Sequence, residues 1–181
     1  MDVINVGLFG IGVVGGGVVE ILRRNKELIK SRLGAELRVT KAVTRDLKKA
    51  RSVPMDGIQL SSDPDFILKD PNIHIVAELM GGTDLARTVV LRAVEAGKGV
   101  VTANKALLAE CAAEIFPAIY KKGTPFGMEA SVAGGIPVLR ALKEGLSSDR
   151  ILEICGIVNG TCNYILTKMS NEGAAFDAVL A

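Results

Sequence analysis

The chain has 181 residues, 49% of them hydrophobic and 23% charged, which suits a soluble globular protein of one full domain plus part of a second. A formal net charge of +2, with lysine and arginine scattered and no aromatic-rich basic surface, argues against a nucleic-acid partner. No charged-then-apolar leader opens the chain, and no apolar run approaches the ~20 residues that cross a bilayer, so no membrane association is expected.

Strand and helix signals alternate from the N-terminus. Residues 3–9 read as an apolar strand that runs straight into Gly10-Ile11-Gly12-Val13-Val14-Gly15, and residues 15–31 read as a helix. In this order the first glycine serves a tight turn, the second clears space for a pyrophosphate and the third lets the helix pack closely on the strand. The first-turn amides, with Val13 and Val14 contributing backbone donors, would face an anion at the positive end of the helix dipole. The competing reading is a glycine-rich turn that serves packing alone.

Leu37–Thr44 has the period of a second strand, and a shorter one is expected near Gly57–Leu60. A short helix should begin at Ser62–Asp65, and Ile73–Met80 reads as a buried strand leading to Gly81-Gly82-Thr83. Asp84–Ala96 is expected as a helix, Gly99–Thr102 as a strand, and Lys105–Lys122 as a helix that Pro117 would kink or divide. This alternation predicts an α/β fold, a doubly wound parallel sheet of the Rossmann type with right-handed crossovers. An aromatic content of 4%, with no Trp, fits buried parallel strands covered by helices.

After Gly123-Thr124-Pro125 the texture changes. Phe126–Ser131 is strand-like, a helix is expected from Pro137 to Gly145, a strand from Arg150 to Val158, and a final helix after Asn159-Gly160-Thr161. The expected organisation is a dinucleotide-binding domain over 1–130 and the beginning of an α+β domain over 131–181. The pattern stops inside an apolar helix without a stop signal, so a longer parent chain is expected.

Ligands on such sheets lie beyond the carboxyl ends of the strands, where Gly10–Gly15, Arg45, Gly81–Thr83 and Asn104-Lys105 should meet. Arg45 is the first residue after the second strand and favours the 2′-phosphate of NADP, with Lys48 or Lys49 assisting. The alternative has Asp46 taking the ribose of NAD and Arg45 solvated. Lys105 could hold a substrate oxygen and move a proton, or be a solvated surface lysine. Glu129 beside the Gly134-Gly135 turn is either a hard-cation ligand joined by turn carbonyls or a capping or ion-paired glutamate. Asn159-Gly160-Thr161 offers contacts to substrate or nicotinamide, or a helix cap by Thr161 or Asn159. Cys111, Cys155 and Cys162 form no close pair, which suggests reduced cytoplasmic thiols. His74, the single histidine, lies inside an apparent strand and reads as a core or edge residue, so Cys162 has no evident partner as a nucleophile.

Five segments together resemble homoserine dehydrogenase: Gly10–Gly15, Glu78-Leu79-Met80-Gly81-Gly82, Thr102–Leu108, Glu129–Pro137 and Gly156–Leu166. The resemblance implies NAD(P)-dependent interconversion of L-homoserine and L-aspartate 4-semialdehyde, on the route to threonine, isoleucine and methionine. It implies that Lys105 is one of two active-site lysines and also lies near the cofactor, at the strand edge where Gly81, Thr83 and Asn104 are read as cofactor-binding residues. It implies that Glu129 and the carbonyls of Val132, Gly134 and Ile136 hold a monovalent cation, usually sodium, and that Gly160 and Thr161 face the substrate. It places the second lysine and the acidic residues for the substrate amino group beyond residue 181, and implies a homodimeric or homotetrameric parent. Two other readings stand beside it: an aspartate-semialdehyde-type dehydrogenase, which needs an activated cysteine, and a noncatalytic NAD(P)H-binding module.

Overall fold

The computed structural model describes residues 3–157 and 159–180. The elements of the first part are β1 (Val3–Phe9), α1 (Val13–Arg24), α2 (Lys26–Leu33), β2 (Glu36–Val43), β3 (Gln59–Ser61), α3 (Asp65–Leu68), β4 (Ile75–Glu78), α4 (Asp84–Glu95), β5 (Gly99–Thr102), α5 (Lys105–Lys122) and β6 (Phe126–Gly127). All six strands pair in parallel in the order β3-β2-β1-β4-β5-β6. This is the Rossmann order, in which the chain reverses direction across the sheet between β1 and β4.

The apolar stretches Val6–Phe9 of β1 and Val76-Ala77 of β4 follow from burial on both faces. Successive side chains of a strand point to opposite sides. Phe9, Val43 and Val76 accordingly enter one core with Ile67, Val89, Val90 and Ile115, under α3, α4 and α5. Their neighbours Leu8, Ala42 and Ala77 enter the other core with Val19 of α1. Gly7 is small because α3 rests on it: a Cβ there would lie 2.6 Å from Cγ2 of Ile67.

The structure changes several expectations. The helix predicted over 15–31 is two helices broken at Asn25, whose backbone leaves helical geometry with ψ near 19°. Pro117 does not divide α5, which runs continuously to a left-handed Gly123 cap. The strand-like stretch 126–131 pairs only at Phe126 and Gly127 and then tightens into a 3₁₀ turn at Glu129–Ser131.

The chain divides into two compact units between Leu139 and Arg140. Residues 129–139 belong with the first, where the amide of Leu139 donates to Oε1 of Glu129 at 2.9 Å. Around the division lie α6 (Val138–Arg140) and one π-helical turn, Ala141–Gly145. The second unit contains α7 (Gly160–Glu172) and α8 (Phe176–Leu180). The strand expected over 150–158 is absent from 150–157, and Val158 lies outside the described residues. None of the described strands pairs with this stretch, and Leu152, Ile154 and Ile157 are exposed.

Candidate functional site

The carboxyl ends of β1, β2, β4 and β5 form one edge, and the reversal point between β1 and β4 lies at its centre. Gly10 leaves β1 with φ +94, and a Cβ on it would come within 2.8 Å of the Leu79 carbonyl oxygen at the end of β4. Gly15 faces back onto the same turn, where a Cβ would fall 2.3 Å from the Gly10 carbonyl oxygen. Gly12 differs from both: an added Cβ would meet no protein atom within 4 Å. The protein itself therefore requires glycine at 10 and 15, whereas at 12 the missing side chain leaves open space.

That space adjoins the N-terminus of α1. Val13 is almost fully exposed and Val14 more than half exposed. No side chain caps the helix, and the first amides of an α-helix have no partner within it. The arrangement suits a pyrophosphate group, which would accept from those amides along the favourable end of the dipole.

The loop after β2 closes one side. Arg45 is exposed there, and Oδ1 of Asp46 accepts the amides of Lys48 (2.9 Å) and Lys49 (3.1 Å). Arg51 reaches inward: Nη1 donates to the Ile11 carbonyl at 3.2 Å, and Nη2 donates to the Thr44 hydroxyl at 3.2 Å and to the Asp46 carbonyl. One guanidinium thus ties the glycine turn to the β2 loop. Nothing in the sequence distinguishes Arg51 from the basic residues Lys48 and Lys49 just before it; its planar fork of donors is the property that suits it to three acceptors. A cleft of about 240 Å³ between these segments is lined by Gly12, Val13, Gly16, Lys49, Arg51 and Val53. A larger one, about 400 Å³, lies between α1 and the start of β2 among Arg23, Lys26, Glu36 and Arg38, and contains none of the expected site residues.

On the other side of the reversal point, Gly81 and Thr83 lie in the loop between β4 and α4, and Asn104 and Lys105 at the start of α5. Lys105 is exposed. Asn104 caps α5 by accepting the Leu107 amide at 3.0 Å, while its Nδ2 donates to the Gly82 carbonyl at 2.7 Å. Beneath both loops sits Glu78, with no solvent exposure, accepting from the Met80 amide at 2.8 Å and the Thr102 hydroxyl at 2.6 Å. Burial pushes its carboxyl above the ordinary range, opposed by these bonds and by the Asn104 side chain. Its signal in the sequence is a single acid closing an apolar run.

Glu129 follows β6 at the same edge of the sheet. The turn after it carries positive φ at Ala133 (55°) and Gly134 (61°). The donors nearby are oxygens, as a hard cation requires: the Glu129 carboxylate and the carbonyls of Val132, Gly134 and Ile136. One carboxylate oxygen already accepts the Leu139 amide, and the Ile136 carbonyl accepts the Val138 amide at 2.8 Å. Among the described residues no group of three or more His, Cys, Asp or Glu side chains gathers as a metal site.

Gly160 and Thr161 lie in the second unit, at the N-terminus of α7. Asn159, not Thr161, supplies the cap there, accepting the Cys162 amide at 2.9 Å. Cys162 is exposed. His74 is exposed as well, just before β4, and its Nδ1 accepts the Asn5 amide at 3.0 Å. No helix among the described residues is long and apolar enough to cross a membrane.

Comparison with known proteins bears on this geometry. Two family models match, one described as the NAD binding domain of homoserine dehydrogenase over residues 10–128, the other as homoserine dehydrogenase over 137–181. A homoserine dehydrogenase of Neisseria gonorrhoeae is 46% identical over 99% of this chain, which spans 41% of that protein. The crystal structure of a homoserine dehydrogenase from Thiobacillus denitrificans superposes with a TM-score of 0.92 at 50% identity, over 99% of this chain and 42% of that one. A hyperthermophilic archaeal homoserine dehydrogenase in complex with NADPH shares the fold, with a TM-score of 0.77 at 23% identity, over 98% of this chain and 59% of that one. The chain thus spans about two fifths of the length of its near relatives, and it belongs to the homoserine dehydrogenase family.

Proposed function

We propose that this chain supplies the NAD(P) site and part of the catalytic site of an oxidoreductase that interconverts L-homoserine and L-aspartate 4-semialdehyde, in the biosynthesis of threonine, isoleucine and methionine. The observation that carries the reading is Gly12, whose missing side chain leaves space that no protein atom fills. The cofactor, when bound, supplies or accepts the hydride. Gly10 and Gly15 hold the turn, and the amides of Val13, Val14 and Gly15 bind the pyrophosphate. Arg45, assisted by Lys48 or Lys49, meets the 2′-phosphate of NADP, so NADP is preferred to NAD. The engagement of Asp46 Oδ1 by two backbone amides supports that choice over a ribose-binding Asp46.

Gly81, Thr83, Asn104 and Lys105 border the nicotinamide half. Lys105 holds the substrate oxygen and moves its proton, a role that suits an exposed ammonium at a helix start on the ligand edge. Glu129 with the carbonyls of Val132, Gly134 and Ile136 would hold sodium and stiffen the turn. Gly160 and Thr161 contact the small-molecule substrate. The remaining substrate-binding residues belong to the rest of a homodimeric or homotetrameric cytoplasmic enzyme whose second unit forms the catalytic and dimerisation domain. No nucleic acid or membrane is involved.

A fluorescence titration of the folded chain with NADPH and with NADH tests the cofactor reading. Saturable binding that favours NADPH is expected, weakened about tenfold or more by Gly12→Ala with no change in melting temperature. A folded chain that binds neither cofactor overturns it.

A further inference from the structure

A carboxylate withdrawn entirely from water is costly unless its oxygens are well used. Glu78 occupies such a position at the last residue of β4, in the layer beneath the site rather than at its surface. An apolar residue would continue the strand's pattern and avoid the penalty, yet the chain places an acid there. Both oxygens are committed, and in different directions. Oε1 accepts the amide of Met80, at the head of the 79–83 loop, and Oε2 accepts the hydroxyl of Thr102, the last residue of β5.

The connection continues outward from Thr102. Its hydroxyl oxygen accepts the Asn104 amide at 3.0 Å, so its proton is directed to Glu78. Asn104 then closes the circuit by donating from Nδ2 to the Gly82 carbonyl while its Oδ1 caps α5. The loop after β4 and the N-terminus of α5 are thereby held to each other through one buried acid. The strand ends themselves are joined by the Ala103 amide, which donates to the Glu78 carbonyl at 3.2 Å; beyond that bond, the side chains of Glu78, Thr102 and Asn104 link the 79–83 loop to the start of α5.

We infer that Glu78 is a positioning residue for the nicotinamide half of the site, setting the separation of Gly81–Thr83 and Asn104-Lys105 without itself touching the ligand. The inference rests on the cofactor reading above. In a doubly wound sheet each half of the strand order holds one mononucleotide, and β4 and β5 lie on the half away from the β2 loop. Loss of the Glu78 circuit should therefore be felt by the nicotinamide and not by the adenosine.

The test is titration of the chain with NADPH and, in parallel, with 2′-phosphoadenosine diphosphoribose, which has the same adenosine and pyrophosphate but no nicotinamide. Glu78→Gln and Thr102→Val should each weaken NADPH about tenfold and leave the fragment within about twofold, whereas Thr102→Ser, which keeps the hydroxyl, should restore NADPH binding. Should Glu78→Gln fail to fold, the Thr102 pair carries the same comparison. Equal weakening of both ligands, or unchanged NADPH binding in Thr102→Val, overturns the inference while leaving the cofactor reading in place. Wild-type chain that binds neither ligand overturns the cofactor reading, and the inference with it.

Discussion

In the first unit the apolar strand runs end in two cores, one on each face of the sheet, whereas in the second Leu152, Ile154, Ile157 and Leu166 stand exposed. The local sequence signals are of similar quality in both. What differs is where each element finds its hydrogen bonds. α7 makes its own bonds and is capped at both ends, by Asn159 and by left-handed Gly173, so it forms in either setting. A strand has no internal bonds, and residues 150–157 remain without a ladder although most of them are apolar. Helices thus report on their own sequence, and strands report on their neighbours.

The largest test of this contrast is a pair of truncations. Ile67→Ala, at a fully buried side chain that rests on Gly7, should lower the stability of the first unit by about 3–4 kcal/mol in urea denaturation. Leu152→Ala, at an exposed position of the second unit, should change it by less than about 0.5 kcal/mol. Comparable losses from both would break the contrast.

Next in size is Gly15→Ala. Its Cβ would overlap the Gly10 carbonyl oxygen, so α1 must back away from the turn, at about 2–3 kcal/mol in the same denaturation experiment. An unchanged midpoint would mean that α1 is free to shift and that the turn is not tightly built.

Asp70 sharpens the picture with pH. Lys41 Nζ lies 2.7 Å from its carboxylate with both side chains mostly buried. That bond first, and the Asn72 amide second, hold the carboxyl below the ordinary range. The pair's contribution is complete above the carboxylate range and is lost as pH falls through the depressed value. Asp70→Asn should therefore cost about 2 kcal/mol at pH 7, and its difference from wild type should shrink on acidification. A difference that grows toward low pH contradicts the assignment.

The smallest effect belongs to the second unit. Asn159→Ala should cost α7 about 1 kcal/mol, read as faster amide exchange in its first turn, with the first unit's exchange unchanged. Spread of the effect into the first unit would show that the two are energetically joined.

Much of the fold and part of the site were legible from residues alone. β1 and β5 follow from mainly apolar runs next to Gly, α5 from its Asn104 cap and Gly123 stop, and the glycine turn from its place between strand and helix. The break at Asn25 was not legible, because the apolar spacing of Val19, Leu22 and Ile29 passes through it without interruption. Arg51 was hidden among exposed basic neighbours, since only the folded loop shows which of them turns inward. Glu78 was visible as an acid in an apolar run, but the identity of its partners depends on β4 and β5 lying side by side, 24 residues apart in sequence.

The sequence by itself determined what depends on near neighbours along the chain: helix caps, the glycine turn, the two-sided burial of parallel strands and the family to which these motifs belong. Tertiary structure alone decided what depends on distant segments meeting. It set the requirement for glycine at positions 10 and 15 through the Leu79 and Gly10 carbonyls, the open space at Gly12, the Arg51 tie, the Glu78 circuit and the absence of a strand at 150–157. The physical reason is reach: a helix or a turn is satisfied within a few residues, whereas strand ladders, close backbone approaches and buried charges are satisfied only across the fold.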